Sequence, residues 1–239
     1  MKKYRLFLPL LSILMIGCGS SDSSKKPADT TPEPLAVYDF SEFIVPPGEI
    51  YYTYNTISYE KDEGDYVESD NSSFYRKYHY NDNGSITILD DDIEQKKIII
   101  SANDIIIENL LDVNESSIEL ERNVSIGDVI FSNEFNETRD NFGGKTVTDC
   151  TITKYLDEKV IEDKNISNVL EKTCISQFKG TGSGTNTRED TLTVVTYFAK
   201  NSGEVSSVNE SCIVIKWGDD ILENNCTKVE TTLNLVIEP

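Results

Sequence analysis

Apolar and polar residues alternate along most of the chain after residue 36. This period of two is typical of a β-strand with one buried and one wet face. The clearest segment runs from Val229 to Ile237, where Val229, Leu233 and Ile237 alternate with Glu230 and Asn234. No long segment shows the 3.6-residue period of an amphipathic helix. The pattern therefore predicts many short strands and few helices.

Residues that favour tight turns separate these strands at short intervals. Asn83-Gly84 suits a two-residue hairpin turn, and Asn103-Asp104 separates two isoleucine-rich runs. Lys154–Leu170 has some helical character, but the polar cluster from Glu162 to Asn165 favours a hairpin tip. Further turns are expected at Gly64-Asp65, Gly127-Asp128, Gly143-Gly144, Gly182-Ser183-Gly184 and Gly218-Asp219-Asp220.

The order of strands and turns predicts an all-β protein built as an antiparallel meander. It forms a sandwich, an open barrel or a strongly curved sheet, and the pattern leaves these three open. Leu192–Ala199 carries apolar residues on both faces and is expected to be a central strand. We expect one β domain over residues 36–239, with a division into two sub-sheets near residue 140 as an alternative.

The amino terminus has the form of an export signal. Lys2, Lys3 and Arg5 precede an apolar run from Leu6 to Ile16, which is too short to span a bilayer. We therefore expect residues 1–17 to be a signal peptide.

Met15-Ile16-Gly17-Cys18 resembles the lipobox of bacterial lipoproteins, with Met15 at the place usually held by leucine. The resemblance implies cleavage between Gly17 and Cys18 and a lipid on Cys18. Gly19 replaces the aspartate that retains lipoproteins at the inner membrane of enteric bacteria, which implies the outer membrane without fixing the leaflet. Two or more acyl chains give stable anchoring.

The segment that follows Cys18, up to about residue 35, is rich in serine, proline and threonine. Such a sequence buries too little apolar surface to fold, so it is expected to be a flexible tether. Cleavage removes three cations and no anion, and the formal charge of −20 becomes −23. This acidity excludes binding to nucleic acid or to anionic lipid head groups through a general electrostatic field.

Four cysteines remain after Cys18, namely Cys150, Cys174, Cys212 and Cys226. Their spacing lacks the close pairs of a structural zinc site, and an exported chain favours disulfides. Each of the pairs Cys150–Cys174 and Cys212–Cys226 flanks one expected hairpin turn. We therefore predict local pairing over the two long-range connectivities.

The carboxy-terminal part also resembles a known group of sequences. Val195–Val208 is similar to a Tyr-Tyr-Ala-Lys-Gly-x-Gly-x-Val segment found in uncharacterised β-rich bacterial lipoproteins. The segment from Gly144 to Tyr155 looks like the strand that precedes it there. Asn201 stands where that pattern has its first glycine, and Gly203 keeps the second. The resemblance implies a strand, a tight turn and a return strand, and it implies no activity.

Motifs for catalysis or metal binding are weak. His79 is the only histidine, and we interpret it as a structural residue on a wet strand face. No nucleophile elbow, zinc-protease pair or phosphate-binding glycine loop is present. The acids from Asp90 to Asp92 lie near Gly84, but a calcium loop with that glycine at its sixth place would begin at His79 instead of aspartate. We expect no enzyme activity, no cofactor and no metal.

Two functions remain open. The first is an envelope lipoprotein that serves as an interaction or structural module with another envelope protein. The second is a carrier or sensor that holds a lipid or glycan in the hollow of a curved sheet. Eight tyrosines offer such a surface: Tyr51, Tyr52, Tyr54, Tyr59, Tyr66, Tyr75, Tyr78 and Tyr80. Tyrosine is also an ordinary strand residue, so the sequence does not decide between them.

Overall fold

A computed structural model describes residues 35–62, 64–111 and 117–237. The expected signal peptide, its cleavage site between Gly17 and Cys18, and the tether up to residue 34 lie outside the described residues.

The described residues contain one four-residue helix, α1 (Ser41–Ile44), and fourteen strands. In chain order the strands are β1 (Val37–Asp39), β2 (Ile50–Asp62), β3 (Asp65–Tyr80), β4 (Ile86–Asp90), β5 (Ile93–Ile100), β6 (Asp104–Asn109), β7 (Ile118–Glu121), β8 (Asn123–Ser125), β9 (Val129–Arg139), β10 (Phe142–Ile161), β11 (Lys164–Thr181), β12 (Asn186–Ala199), β13 (Gly203–Trp217) and β14 (Asp220–Ile237).

Twelve strands form one antiparallel sheet in the order β7-β6-β5-β4-β3-β2-β14-β13-β12-β11-β10-β9. The edge strands β7 and β9 approach each other, so the sheet is nearly closed into a barrel. The pairing of β14 with β2 joins the two meanders into this single sheet. β1 and β8 form a separate two-stranded sheet. The predicted all-β antiparallel class is confirmed, and the barrel is the arrangement observed.

Tight two-residue turns close several of the hairpins. Both central residues have positive φ angles, as the favoured hairpin turns require, in three of them: Asp91-Asp92, Asp140-Asn141 and Glu162-Asp163. The last of these lies at the predicted tip within Lys154–Leu170, so the hairpin interpretation of that segment is confirmed. Leu192–Ala199 lies in β12 between β11 and β13, as predicted for a central strand.

The turn at Asn83-Gly84 is longer than predicted. β3 ends at Tyr80 and β4 begins at Ile86, which leaves a five-residue connection in place of a two-residue turn. The Asn83 side-chain oxygen accepts a hydrogen bond from the backbone N–H of Ser85 at 3.0 Å. This local bond favours a wider loop, while Gly84 still supplies a positive φ of 81°.

The turn predicted at Gly143-Gly144 is wrong, because both glycines lie within β10. The chain reverses earlier, at Asp140-Asn141. Gly144 serves close packing instead: a Cβ atom there would overlap the Lys179 carbonyl oxygen and lie 2.5 Å from the Gly180 Cα atom across the strand pair. Only glycine allows the backbones of β10 and β11 to approach so closely.

The core lies on the inner face of the barrel. Tyr52, Tyr54 and Tyr78 are almost fully buried there, with their rings in edge-to-face contact. Phe40 precedes α1 and packs edge-to-face on Phe198 at 5.7 Å. Ile44 of α1 is also buried. The helix thus covers the barrel interior near the β12–β13 turn.

Candidate ligand-binding cavity

The barrel interior contains two neighbouring cavities, of about 410 and 380 Å³. They share four lining residues: Lys96, Ile107, Leu120 and Lys172. Each volume lies within the range of about 300–1,000 Å³ that is typical of small-molecule sites. The interior therefore has room for a ligand.

The walls combine apolar and polar side chains, which converge because inward positions recur at every second residue of each strand, and apolar surface predominates in the smaller cavity. Their apolar members come from strands on opposite sides of the barrel and from the residues around α1: Phe40, Ile44, Phe74, Ile88, Ile98, Ile107, Ile118, Leu120, Ile130, Phe131, Val194 and Phe198. Such a wall shields a ligand from water and favours an apolar chain.

Arg76 of β3 lies on this wall and binds two carboxylates. Its Nε and Nη2 atoms donate to Asp90 at 2.7 and 2.9 Å, and Nη1 donates to Glu204 at 3.0 Å. The guanidinium group also lies over the rings of Tyr54 and Phe74, at 5.1 and 5.5 Å from their centroids. Arg76 is thereby held in place by β4 and β13.

These contacts set the ionisation of the buried groups. Burial opposes the charged form of Glu204, but the charge of Arg76 and a hydrogen bond from Ser207 outweigh it, so the pKa of Glu204 is lowered. Burial raises the pKa of Tyr78 to about 12. Glu204 is therefore ionised at neutral pH, and its charge is matched by Arg76.

Lys172 of β11 has a different environment. Among the described residues it makes no ion pair, and its Nζ atom lies 5.3 Å from the centroid of the Phe198 ring. Desolvation, together with the positive charge of Lys96, lowers the pKa of Lys172 to about 8, while Glu204 acts in the opposite direction. Lys172 thus remains mainly protonated at neutral pH without a bound counter-charge.

Charge is distributed unusually over the molecule. Three cationic side chains, Arg76, Lys96 and Lys172, line the cavities with two carboxylates, Asp90 and Glu204. The lining therefore carries one net positive charge in a chain whose formal charge is −20. An interior of this sign attracts an anion, although the chain as a whole repels one.

Asn209 adds polar capacity to the same wall. Its side-chain oxygen is buried without a hydrogen-bond partner in the described part of the chain. Buried polar atoms normally have partners, so such an atom in a cavity can receive a hydrogen bond from a ligand. Rotation of the amide can instead present its NH₂ group.

The cysteines pair as predicted. Cys150 is bonded to Cys174 and Cys212 to Cys226, in each case directly across an antiparallel strand pair. The Cys150–Cys174 disulfide lines the smaller cavity. Ser207 and Asn209 of β13 face the barrel interior. Cys212 is an odd number of residues away from both, so the second disulfide lies on the outer face of the sheet.

His79 lies outside the cavity. Its side chain is exposed, and the Nδ1 atom is 2.6 Å from a Glu49 carboxylate oxygen. This arrangement fits the interpretation as a residue on a wet strand face. The absence of enzyme activity stays a prediction.

The three acids from Asp90 to Asp92 serve different contacts. Asp90 binds Arg76, Asp91 accepts the backbone N–H of Tyr75 at 3.0 Å, and Asp92 accepts the Tyr75 hydroxyl at 2.5 Å. In the described ranges no group of three or more His, Cys, Asp or Glu side chains converges in a way that could hold a metal ion.

The eight tyrosines do not form one surface, so the tyrosine-lined ligand face is wrong as stated. Tyr52, Tyr54 and Tyr78 are buried inside the barrel. Tyr59 and Tyr66 lie on the outer face, where their hydroxyls donate to Glu230 and Glu210. The strand period sends neighbouring tyrosines to opposite faces of the sheet.

Sequence reasoning missed the charged residues of the cavity. The available signal was a charged residue at a strand position whose neighbours two residues away are apolar. Arg76 stands between Phe74 and Tyr78 in this way, and Lys172 between Leu170 and Cys174. A charge in an otherwise apolar stripe marks a buried ion pair or a site.

A larger groove of about 720 Å³ lies at the ends of β9–β12 and is more open than the cavities. Its lining includes the charged side chains of Lys145, Lys179 and Glu189 and the exposed Gly143. A ligand there would stay largely in contact with water, so the more enclosed interior cavity is the better candidate site.

No protein-family model matches the chain, and no curated protein does. None of the helices in the described residues is long and apolar enough to cross a membrane.

Proposed function

We propose that this protein is a lipid-anchored envelope protein that binds a small amphiphilic ligand inside its barrel and acts as a carrier or sensor. The observation that carries this proposal is the pair of adjoining cavities whose walls combine apolar side chains with a few fixed charges. Of the two functions left open by the sequence, a filled core would favour the interaction module, whereas a hollow one favours ligand binding. Catalysis is not part of the proposal.

The anchor is part of the same proposal. The lipobox-like Met15-Ile16-Gly17-Cys18 and the polar segment after it support a lipid on Cys18 and a location at the outer membrane. A carrier or sensor of apolar molecules benefits from a tether at the membrane, because its ligand concentrates there. We propose that the envelope is where the cavity is filled.

Filling the cavity is expected to weaken ligand binding. Val194 lines the larger cavity, and its Val194→Phe variant places a ring in that space. We expect the affinity for N-phenyl-1-naphthylamine, a neutral apolar fluorophore, to fall about tenfold or more, which corresponds to ~1.4 kcal/mol. Fluorescence titration of the soluble domain measures it.

Val195→Phe is the matched control, because Val195 is the next residue of β12 and faces away from the cavity. It should keep the wild-type affinity within about twofold. An equal loss of fluorophore affinity in both variants, or no saturable binding by the wild type, would contradict the proposed function.

Replacing Cys18 with serine is expected to move the protein from the membrane to the soluble envelope fraction. Serine offers no thiol for the diacylglycerol group, so the anchor cannot form. Fractionation and mass spectrometry of the mature amino terminus measure the outcome. A wild-type terminus other than a modified Cys18 would show that the anchor is wrong.

A further inference from the structure

The cavity holds two cations that the fold itself does not neutralise. Arg76 is matched by Asp90 and Glu204, whereas Lys172 and Lys96 make no ion pair with any described residue. Lys172 is half-buried within the barrel, and Lys96 is exposed at the cavity surface. A desolvated ammonium group without a partner is unfavourable for folding, so its presence calls for a counter-charge from outside the chain.

We infer that the cavity binds an anionic single-chain amphiphile, whose carboxylate or phosphate head accepts hydrogen bonds from Lys172 and Lys96 while its chain lies along the apolar wall. This inference rests on the proposed function and names the ligand class. Ammonium groups bind such heads through short, charge-assisted hydrogen bonds.

The wall around the lysines fits the other half of the ligand. Ile107 and Leu120 line both cavities beside Lys96 and Lys172, and Ile98 and Phe198 line the larger one. A free inorganic anion would leave this apolar surface unused, and a sugar would leave it unmatched. The cavity volumes suit one acyl chain, because two-chain lipids exceed the size of such pockets.

Cationic ligands are disfavoured for the same reason that anions are favoured. The two carboxylates in the lining, Asp90 and Glu204, are already bound to Arg76. No described carboxylate of the lining remains to receive a cationic head, whereas two ammonium groups remain for an anionic one.

Four probes with the same ten-carbon chain test the inference: decanoate, decyl phosphate, neutral decyldimethylamine oxide and decyltrimethylammonium. Calorimetric titration of the soluble domain at pH 7, with each probe below its micellar concentration, gives the affinities. We expect at least one anionic probe to bind about tenfold more tightly than the amine oxide, and the cation most weakly. The ranking of decanoate and decyl phosphate identifies the head group.

The Lys172→Met variant keeps a side chain of similar length without its charge. It should reduce the preference for the anionic probe over the amine oxide to about twofold or less, with a smaller change in the affinity for the amine oxide than in that for the anionic probe. Lys179→Met is the matched control on the same strand, because Lys179 is exposed and lies outside both cavities. It should keep the full preference. Lys96→Met provides a second test at the cavity surface.

A second readout separates a binding residue from a structural one. Lys172→Met should melt at a higher temperature than the wild type even though it binds the anion more weakly, because it removes a desolvated charge. Wild-type affinity for decanoate should also fall between pH 7 and pH 9.5, as Lys172 loses its proton, while that for the amine oxide should fall less. The charged groups that face Lys172 are Lys96 and Glu204, and Arg76 and Asp90 line the same cavity.

The outcomes distinguish the two proposals. Saturable binding of all four probes with equal affinity would overturn the anionic ligand and leave ligand binding intact. Tighter binding of the cation, or a Lys172→Met variant that keeps the anionic preference, would likewise overturn it. Failure of every probe and of the neutral fluorophore to bind would overturn the proposed function itself.

Discussion

Replacing Arg76 by methionine is expected to lower the free energy of unfolding by about 2–3 kcal/mol, because it leaves two mostly buried carboxylates, with side chains 21% and 23% exposed, without their cation. Arg76 makes three hydrogen bonds of 2.7–3.0 Å to Asp90 and Glu204, and 16% of its side chain is exposed. Methionine keeps much of the apolar volume of arginine, so the lost free energy of unfolding reports on the missing guanidinium charge. Urea denaturation followed by circular dichroism measures it.

The matched control is Arg122→Met. Arg122 also binds a carboxylate with both Nε and Nη2, at 3.0 and 2.6 Å from Asp39, but about a third of each side chain is exposed, at 31% and 29%. Water replaces much of what is lost there, so we expect a clearly smaller loss of stability than for Arg76→Met. A larger loss for Arg122→Met than for Arg76→Met would contradict the structural role of Arg76.

The pH dependence gives an independent check. In the wild type the folded-state pKa of Glu204 is lowered, so its contribution to stability is present above the unfolded carboxyl pKa and is lost as pH falls through the folded value. Without Arg76, burial dominates and raises the pKa of Glu204. Protonation then relieves the buried charge, so the stability gap between variant and wild type should narrow from pH 8 to pH 5. A gap that widens in acid would contradict this assignment.

The strands and local turns were largely predictable because their signals are local. The period of two assigns each residue to a face, and a residue such as Asn83 or Gly84 acts on its immediate neighbours. Both disulfides were predictable for the same reason: each joins strands of one hairpin, with sequence separations of 24 and 14. The turn assigned to Gly143-Gly144 failed because glycine serves close backbone approach as well as turns.

The cavity could not be predicted, because it depends on which distant strands meet. Arg76 and Glu204 are separated by 128 residues, and their contact requires the barrel to curve until β3 and β13 face each other. A period of two places Arg76 on the inner face without naming its partner. It also leaves open whether inward side chains fill the interior, since that depends on strand number and curvature.

Removing the two disulfides is the second change with a large expected effect. In the chain-entropy picture each cross-link stabilises the fold by about 3 kcal/mol, because it restricts the unfolded chain. For a domain of this size each loss corresponds to a fall of about 6–12 °C in melting temperature. The variants are Cys150→Ala with Cys174→Ala, Cys212→Ala with Cys226→Ala, and all four together, compared by thermal unfolding.

The two pairs should differ in a definite order. The loop closed by Cys150 and Cys174 is longer, and these sulfurs line the smaller cavity, so their removal also leaves unfilled space inside the barrel. Cys212 and Cys226 close a shorter loop and lie outside both cavities. We therefore expect removal of the Cys150–Cys174 disulfide to lower the melting temperature more than removal of the Cys212–Cys226 disulfide. Dithiothreitol should lower the wild-type melting temperature and leave the fourfold variant unchanged, which separates disulfide reduction from other effects of the reagent. A wild-type protein that melts at the same temperature with and without its disulfides would show that the barrel is held by its strand pairing and core alone.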